Sequence, residues 1–252
     1  RIIELGDIEI RTGVRVGRDI SIEQLEADYD ALMWAVGCQS GRGLPVEGWQ
    51  DTPNCVSGVA FLDAFNKEAM KVTAEKVVCI GGGDTSIDVV SVARRLGKID
   101  QINAKDRPEE VIGGYTAHDS AMVAAREGVH VTLTALFERV DMTATEEEVD
   151  DALTEGVTVL NGVLPVALIR DESGRATGLR LAKCKIDENG VPTPVADTEF
   201  EVEADLIVSA IGQAGDLSGI EEMGNDRQLI DADRFFQVPD RPGHFVAGDI
   251  VR

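Results

Sequence analysis

The spacing of apolar positions changes along this chain, and the changes mark out its elements. Ile8 to Val16 alternates as a strand would. Ser21 stands where the N-cap of a short helix is expected, and Asp30 to Gly37 is a near-continuous apolar run ending in glycine, which predicts a buried strand. Gly41 to Asn54, rich in Gly and Pro, reads as a loop, and Phe61 to Met70 is weakly helical. Lys76 to Ile80 predicts a second buried strand. It runs into the glycines Gly81 to Gly83, then into Ile87 to Leu96 with helical spacing, closed by Gly97. Gln101 to Gly114 has no period and reads as loop, Asp119 to Glu127 returns to helix, and Val129 to Ala135 is a strand.

The second half changes character. Thr145 and Glu148 have the spacing of a capping box, opening a helix that runs to Glu155 and stops at Gly156. From Val157 to Glu203 the strand-like runs are short and separated by Asn161-Gly162, Glu172-Ser173-Gly174 and Glu188-Asn189-Gly190, which predicts an antiparallel meander. Ala204 to Gly212 and His244 to Asp249 are two further apolar strands that end near glycine. Helices between strands, plus one meander, predict an α/β fold with Rossmann-like layers: a mostly parallel sheet and an antiparallel meander.

Composition narrows the function classes. A formal charge of −22 argues against nucleic acid and anionic membrane surfaces, both of which are bound through basic groups. No apolar run approaches the length of a membrane span, and no secretory leader opens the sequence. None of the four cysteines, Cys38, Cys55, Cys79 and Cys184, lies two residues from another, so the chain carries no Cys-x-x-Cys for redox or cluster chemistry. Cys38, Cys79 and Cys184 are expected to be small buried residues, and this usage fits a cytoplasmic setting. The first residues lack an initiator Met and Arg252 directly follows an apolar strand, so a fragment of a longer polypeptide is expected.

The strongest chemical signal is Gly81-x-Gly83-x-x-Ser86 between a strand and a helix. Gly81 allows a tight turn, Gly83 lets backbone approach a pyrophosphate, and Ser86 is small enough for helix to pack on strand. Gly82, Asp84 and Thr85 complete the turn, and the helix start offers free N–H groups to an anion. Beyond the strand Val129 to Ala135, Arg139 suits a 2′-phosphate and thus NADPH, whereas Glu138 suits a ribose diol and thus NADH. Both residues could equally be solvated. Asp249, after Gly248, could accept from a sugar hydroxyl or cap a helix. His118, His130 and His244 lack metal spacing, and Trp34 and Trp49 read as packing residues.

Gly81 to Asp88, followed by Ala93-Arg-Arg-Leu-Gly97, resembles the NADPH-binding segment of the glutamate synthase small-subunit family, which includes the flavin/NADPH part of dihydropyrimidine dehydrogenases. The resemblance extends through Tyr29 to Gly37, Leu44 to Gly48, Ala204 to Gln213 and Phe245 to Arg252. It implies an FAD-binding domain interrupted by an NAD(P)H-binding domain: partial FAD-domain pieces at 1–66 and 215–252, with the nicotinamide domain at 67–214. It also implies that Gly37 and Gly212 end strands close to the cofactors and that Asp249 faces FAD. Hydride would pass from NADPH (or NADH) to FAD, and electrons would leave to a partner domain or subunit containing iron–sulfur centres, with no side chain acting as acid or base.

Several parts of that family are missing from these residues: the cysteine-rich iron–sulfur segment, the first glycine fingerprint for FAD, and the helix expected after Arg252. The stretch 101–128 has no counterpart in it. Weak flavin retention and no turnover by this chain alone are therefore expected. Two other readings remain open at this point. One is a disulfide reductase of the thioredoxin-reductase type, which needs paired cysteines. The other is a module that binds a dinucleotide without turnover.

Overall fold

Ser21 caps helix α1 (Ile22–Asp28) reciprocally: its hydroxyl accepts from the Gln24 amide, and the Gln24 side chain accepts from the Ser21 amide. This helix belongs to the first of two compact units in the computed structural model, which describes residues 6–67, 74–94, 129–188 and 190–251. The first unit comprises the described residues of 1–40 and 214–252, and the second comprises 41–213. Residues 41–66, expected with the opening segment, pack instead within the second unit. The loop expected at 101–114, the helix at 119–127, and Met70, Leu96, Gly97 and His118 lie outside the described residues.

In the first unit the apolar run after Asp30 forms strand β1, which is shorter than expected at Leu32–Trp34. Its central residue Met33 is 71% exposed, so the strand is buried only in part. Ile8 to Val16 is not a strand. Ile8, Ile10 and Val14 are exposed, and only Val16 makes a bridge, to Ile20. Alternation without a neighbouring strand among the described residues leaves the backbone nothing there to pair with.

The second unit is layered. Strand β2 (Cys55–Ser57) leads into helix α2 (Gly58–Asn66), capped by Ser57, and β3 (Lys76–Ile80) into helix α3 (Asp84–Ala93). Strand β4 (His130–Thr134), helix α4 (Glu146–Thr154) and strand β5 (Thr158–Leu160) follow. The antiparallel part comprises β6 (Val163–Arg170), β7 (Ala176–Ile186), β8 (Pro192–Pro194) and β9 (Phe200–Glu203), before β10 (Leu206–Ser209) returns to the parallel sheet. The parallel order is β2-β10-β3-β4-β5. Val157 to Leu160 therefore belongs to this sheet and not to the meander, because the capped α4 supplies the crossover that a parallel strand requires.

Alternation sorts β3 between two cores. Val77 and Cys79 face α2, α3 and α4, with Val89, Val90, Leu133, Val149 and Val208. Val78 and Ile80 face the other way, against Leu179, Leu181, Trp49 and Leu44 of the meander side. Each fully buried aliphatic side chain contributes about 1.5–3 kcal/mol, so covering both faces is what holds a parallel sheet in place. Cys79 is buried as expected, whereas Cys38 and Cys184 are only half-buried, and the side chain of His130 is exposed on its strand.

The last strand of the first unit, β11 (His244–Val246), runs parallel to β1 with Trp34 opposite Val246. His244 is buried between two partners. It accepts from Trp34 Nε1 at its Nδ1 (3.2 Å), and its Nε2 lies 3.0 Å from Glu26.

Candidate functional site

The parallel order places the carboxyl ends of β2, β3 and β10 together, where ligands of open α/β sheets bind. A cavity of about 380 Å³ opens there, within the size range of small-molecule sites. Its lining includes Gly81 to Gly83 of the turn, Asp84 and Thr85 at the start of α3, Ser209 at the end of β10, Ala210 to Gln213 after it, and Leu136, Phe137 and Thr143. The glycine turn and Gly212 are thus brought into one site.

Gly81 is demanded by the backbone. A Cβ there would lie 2.4 Å from the Ala210 carbonyl oxygen, and its amide donates to Thr134 O (2.9 Å). Gly83 is the N-cap of α3 and has no side-chain cap. The amides of Gly83, Asp84 and Thr85 take no acceptor among the described residues, so they remain available to an anion, favoured by the helix dipole. Ser86 does not line the cavity. It is fully buried and its hydroxyl donates to Gly83 O, so it packs helix against strand.

Several residues of the site were not singled out in the sequence. The amides of Thr143 and Ala144 both donate to Gly82 O (3.0 Å each), which clamps the turn from outside. Gln213 Nε2 donates to Thr85 Oγ1 (3.1 Å) across the cavity, and the Arg42 amide donates to Gly212 O (3.0 Å). The signals were faint: Thr143 stands two residues before a capping box, and Gln213 follows a strand-ending glycine. Among the described lining residues Asp84 is the one charged side chain.

Glu138 and Arg139 do not line this cavity. A Cβ on Gly162 would meet Glu138 Oε1 at 2.9 Å, so that carboxylate lies against Gly162. Arg139 begins a 3₁₀ turn (Arg139–Asp141), and its guanidinium is paired with Asp150 of α4.

Gly37, Gly248 and Asp249 lie in the first unit. Since β1 and β11 are adjacent and parallel, with Ala247 N donating to Trp34 O (2.9 Å), their glycine ends lie side by side. Gly37 (φ +64°) and Gly248 (φ +79°) adopt the left-handed conformation and have open space where a Cβ would be. Cys38 Sγ donates to Asp249 O (3.1 Å), and the Asp249 side chain is exposed. None of the four cysteines is in a disulfide. Among the described residues no His, Cys, Asp and Glu cluster could hold a metal, and no helix is long and apolar enough to cross a membrane.

The family described as pyridine nucleotide-disulphide oxidoreductase matches residues 98–252. A relative named NADP(+)-dependent formate dehydrogenase subunit beta, from Moorella thermoacetica, is 33% identical over 97% of this chain and 31% of its own length. The glutamate synthase [NADPH] small chain of Mycobacterium tuberculosis is 30% identical over 97% of this chain and 49% of its own. The chain thus spans between about a third and a half of these curated relatives. Among solved structures, Mycobacterium tuberculosis FprA in complex with NADPH shares the fold at 17% identity, with a TM-score of 0.68 over 95% of this chain and 62% of that one.

Proposed function

Because the chain belongs to the pyridine nucleotide-disulphide oxidoreductase family, we propose that it is the pyridine-nucleotide-binding portion of a flavin-dependent electron-transfer subunit. The observation that carries this reading is the uncapped start of α3, opening behind Gly81 into the cavity. The site suits a dinucleotide: unpaired amides for a pyrophosphate, and no side chain on Gly81 or Gly212 to block approach.

In this reading the unit 41–213 holds NAD(P)H, and the unit built from 1–40 and 214–252 contributes to holding FAD. The amides of Gly83 to Thr85 bind the pyrophosphate, and Gln213, tied to Thr85, fixes the wall opposite. Gly37 and Gly248 leave backbone open for FAD, and Asp249 accepts from one of its hydroxyls. When bound, the nicotinamide and flavin supply hydride transfer, and the chain's own residues orient them. Electrons then pass to an iron–sulfur partner, as in the glutamate synthase small-subunit pattern. The four cysteines form no disulfide and none is spaced for a redox pair, which favours this outlet over disulfide reduction.

Reduction of ferricyanide by the intact, flavin-loaded protein with NADPH or NADH tests the reading. Turnover that depends on both flavin and nucleotide is expected. Nucleotide binding without flavin reduction would leave only a non-catalytic module.

A further inference from the structure

The clearest unassigned feature of the Gly81 cavity is at its rim, and the inference drawn from it rests on the cavity being a pyridine-nucleotide site. Phe137 and Thr143 both line the cavity, so the 3₁₀ turn between them stands at its edge with Arg139 upon it. The fork of an arginine at such a rim suits a 2′-phosphate, the group that distinguishes NADPH from NADH. Here that fork is already engaged. One terminal nitrogen pairs with Asp150, while Nε is shielded and makes no hydrogen bond among the described residues.

We propose that Asp150 is a specificity-determining residue: it competes with a 2′-phosphate for Arg139 and so narrows the preference between NADPH and NADH. The competition is between two anions for one guanidinium, so it requires Arg139 to be present. NADH lacks that phosphate and is indifferent to the exchange. Both partners of the pair are partly exposed, which limits its strength and makes the effect one of a few-fold.

The test is titration of the intact protein with NADPH and with NADH, in the native form and as Asp150→Asn, Arg139→Ala and the double variant. Asp150→Asn is expected to tighten NADPH binding about two- to fivefold while NADH binding stays within about twofold. Arg139→Ala should weaken NADPH alone, and adding Asp150→Asn to it should change nothing further. An unchanged NADPH-to-NADH ratio in Asp150→Asn, with both nucleotides still bound, overturns the inference and leaves the site reading intact. Failure of the native protein to bind either nucleotide overturns both.

Discussion

Gly81 and Ala210 approach so closely that a Cβ on Gly81 would lie 2.4 Å from the Ala210 carbonyl oxygen. The contact joins the turn after β3 to the segment after β10, the two walls of the cavity. Gly82, one residue on, is different: its Cβ would make ordinary contacts, the nearest being Ala135 at 3.4 Å. Gly81→Ala is therefore expected to destabilise the protein by roughly 2–4 kcal/mol, since backbone on both sides must move. Gly82→Ala should cost less than about 1 kcal/mol. Denaturant unfolding of the two variants measures the difference, and equal effects would mean that the two walls are not packed as described.

Thr145 links helix stability to the same turn. Its hydroxyl accepts from the Glu148 amide (3.3 Å), its amide donates to Glu148 Oε2 (2.9 Å), and the preceding amides hold Gly82 O. Loss of the cap in Thr145→Ala should cost about 1 kcal/mol of stability. It should also speed amide exchange at Thr143 and Ala144, which nuclear magnetic resonance can follow. Loss of stability without faster exchange there would separate the cap from the turn.

Asp88 and Glu148 have opposite pH signatures. Asp88, on α3, is held above the ordinary aspartate value of 3.8, by desolvation first and then by Asp84 and Glu148. The folded protein therefore binds this proton more tightly than the unfolded chain, and stability falls as pH rises from 3.8 through the raised value. Glu148 is held below 4.5 by the Thr145 amide and hydroxyl, so its contribution is complete above 4.5 and is lost as pH falls through the lowered value. Asp88→Asn should accordingly be more stable than the native protein at neutral pH, with the gain shrinking to nothing on acidification below 3.8. Unfolding midpoints across that pH range give the sign directly, and a gain that grows with acid would contradict it.

The cysteines give a chemical test of the electron outlet. Burial alone pushes the fully buried Cys79 thiol far up, and burial pushes Cys55 to about 11 despite the nearby Arg170. Few thiolates form at either site near neutral pH, so iodoacetamide should leave both unmodified in the folded protein and label all four cysteines after unfolding. NAD(P)H oxidation should survive this treatment. Its loss on native alkylation would favour a thiol in the reaction path.

Two parts of the second unit were legible because their signals were local and agreed with one another. Lys76 to Ile80, the glycine turn and Ile87 onward formed one contiguous unit, and Thr145 with Glu148 marked the start of α4. What was not legible depended on partners distant in sequence. Ile8 to Val16 alternates like a strand but, among the described residues, pairs only through the Val16–Ile20 bridge. Val157 to Leu160 is too short to declare itself parallel until it is seen beside β4. Thr143 and Gln213 gain their roles from Gly82 O and Thr85 Oγ1, contacts that no spacing along the chain announces. Arg139 was visible as a cation, but its pairing with Asp150 was not, because a helix turn must first bring α4 back beside it.

Nucleotide binding at the Gly81 cavity is tested most directly by calorimetric titration of the intact protein with NADPH and NADH, in the native form and as Gln213→Glu. The variant places a carboxylate on the cavity wall beside Thr85, next to the unpaired amides of α3. The account predicts binding of one nucleotide per chain, weakened about tenfold or more in the variant by like charge at the pyrophosphate. Absence of binding, or binding that Gln213→Glu leaves unchanged, would contradict it.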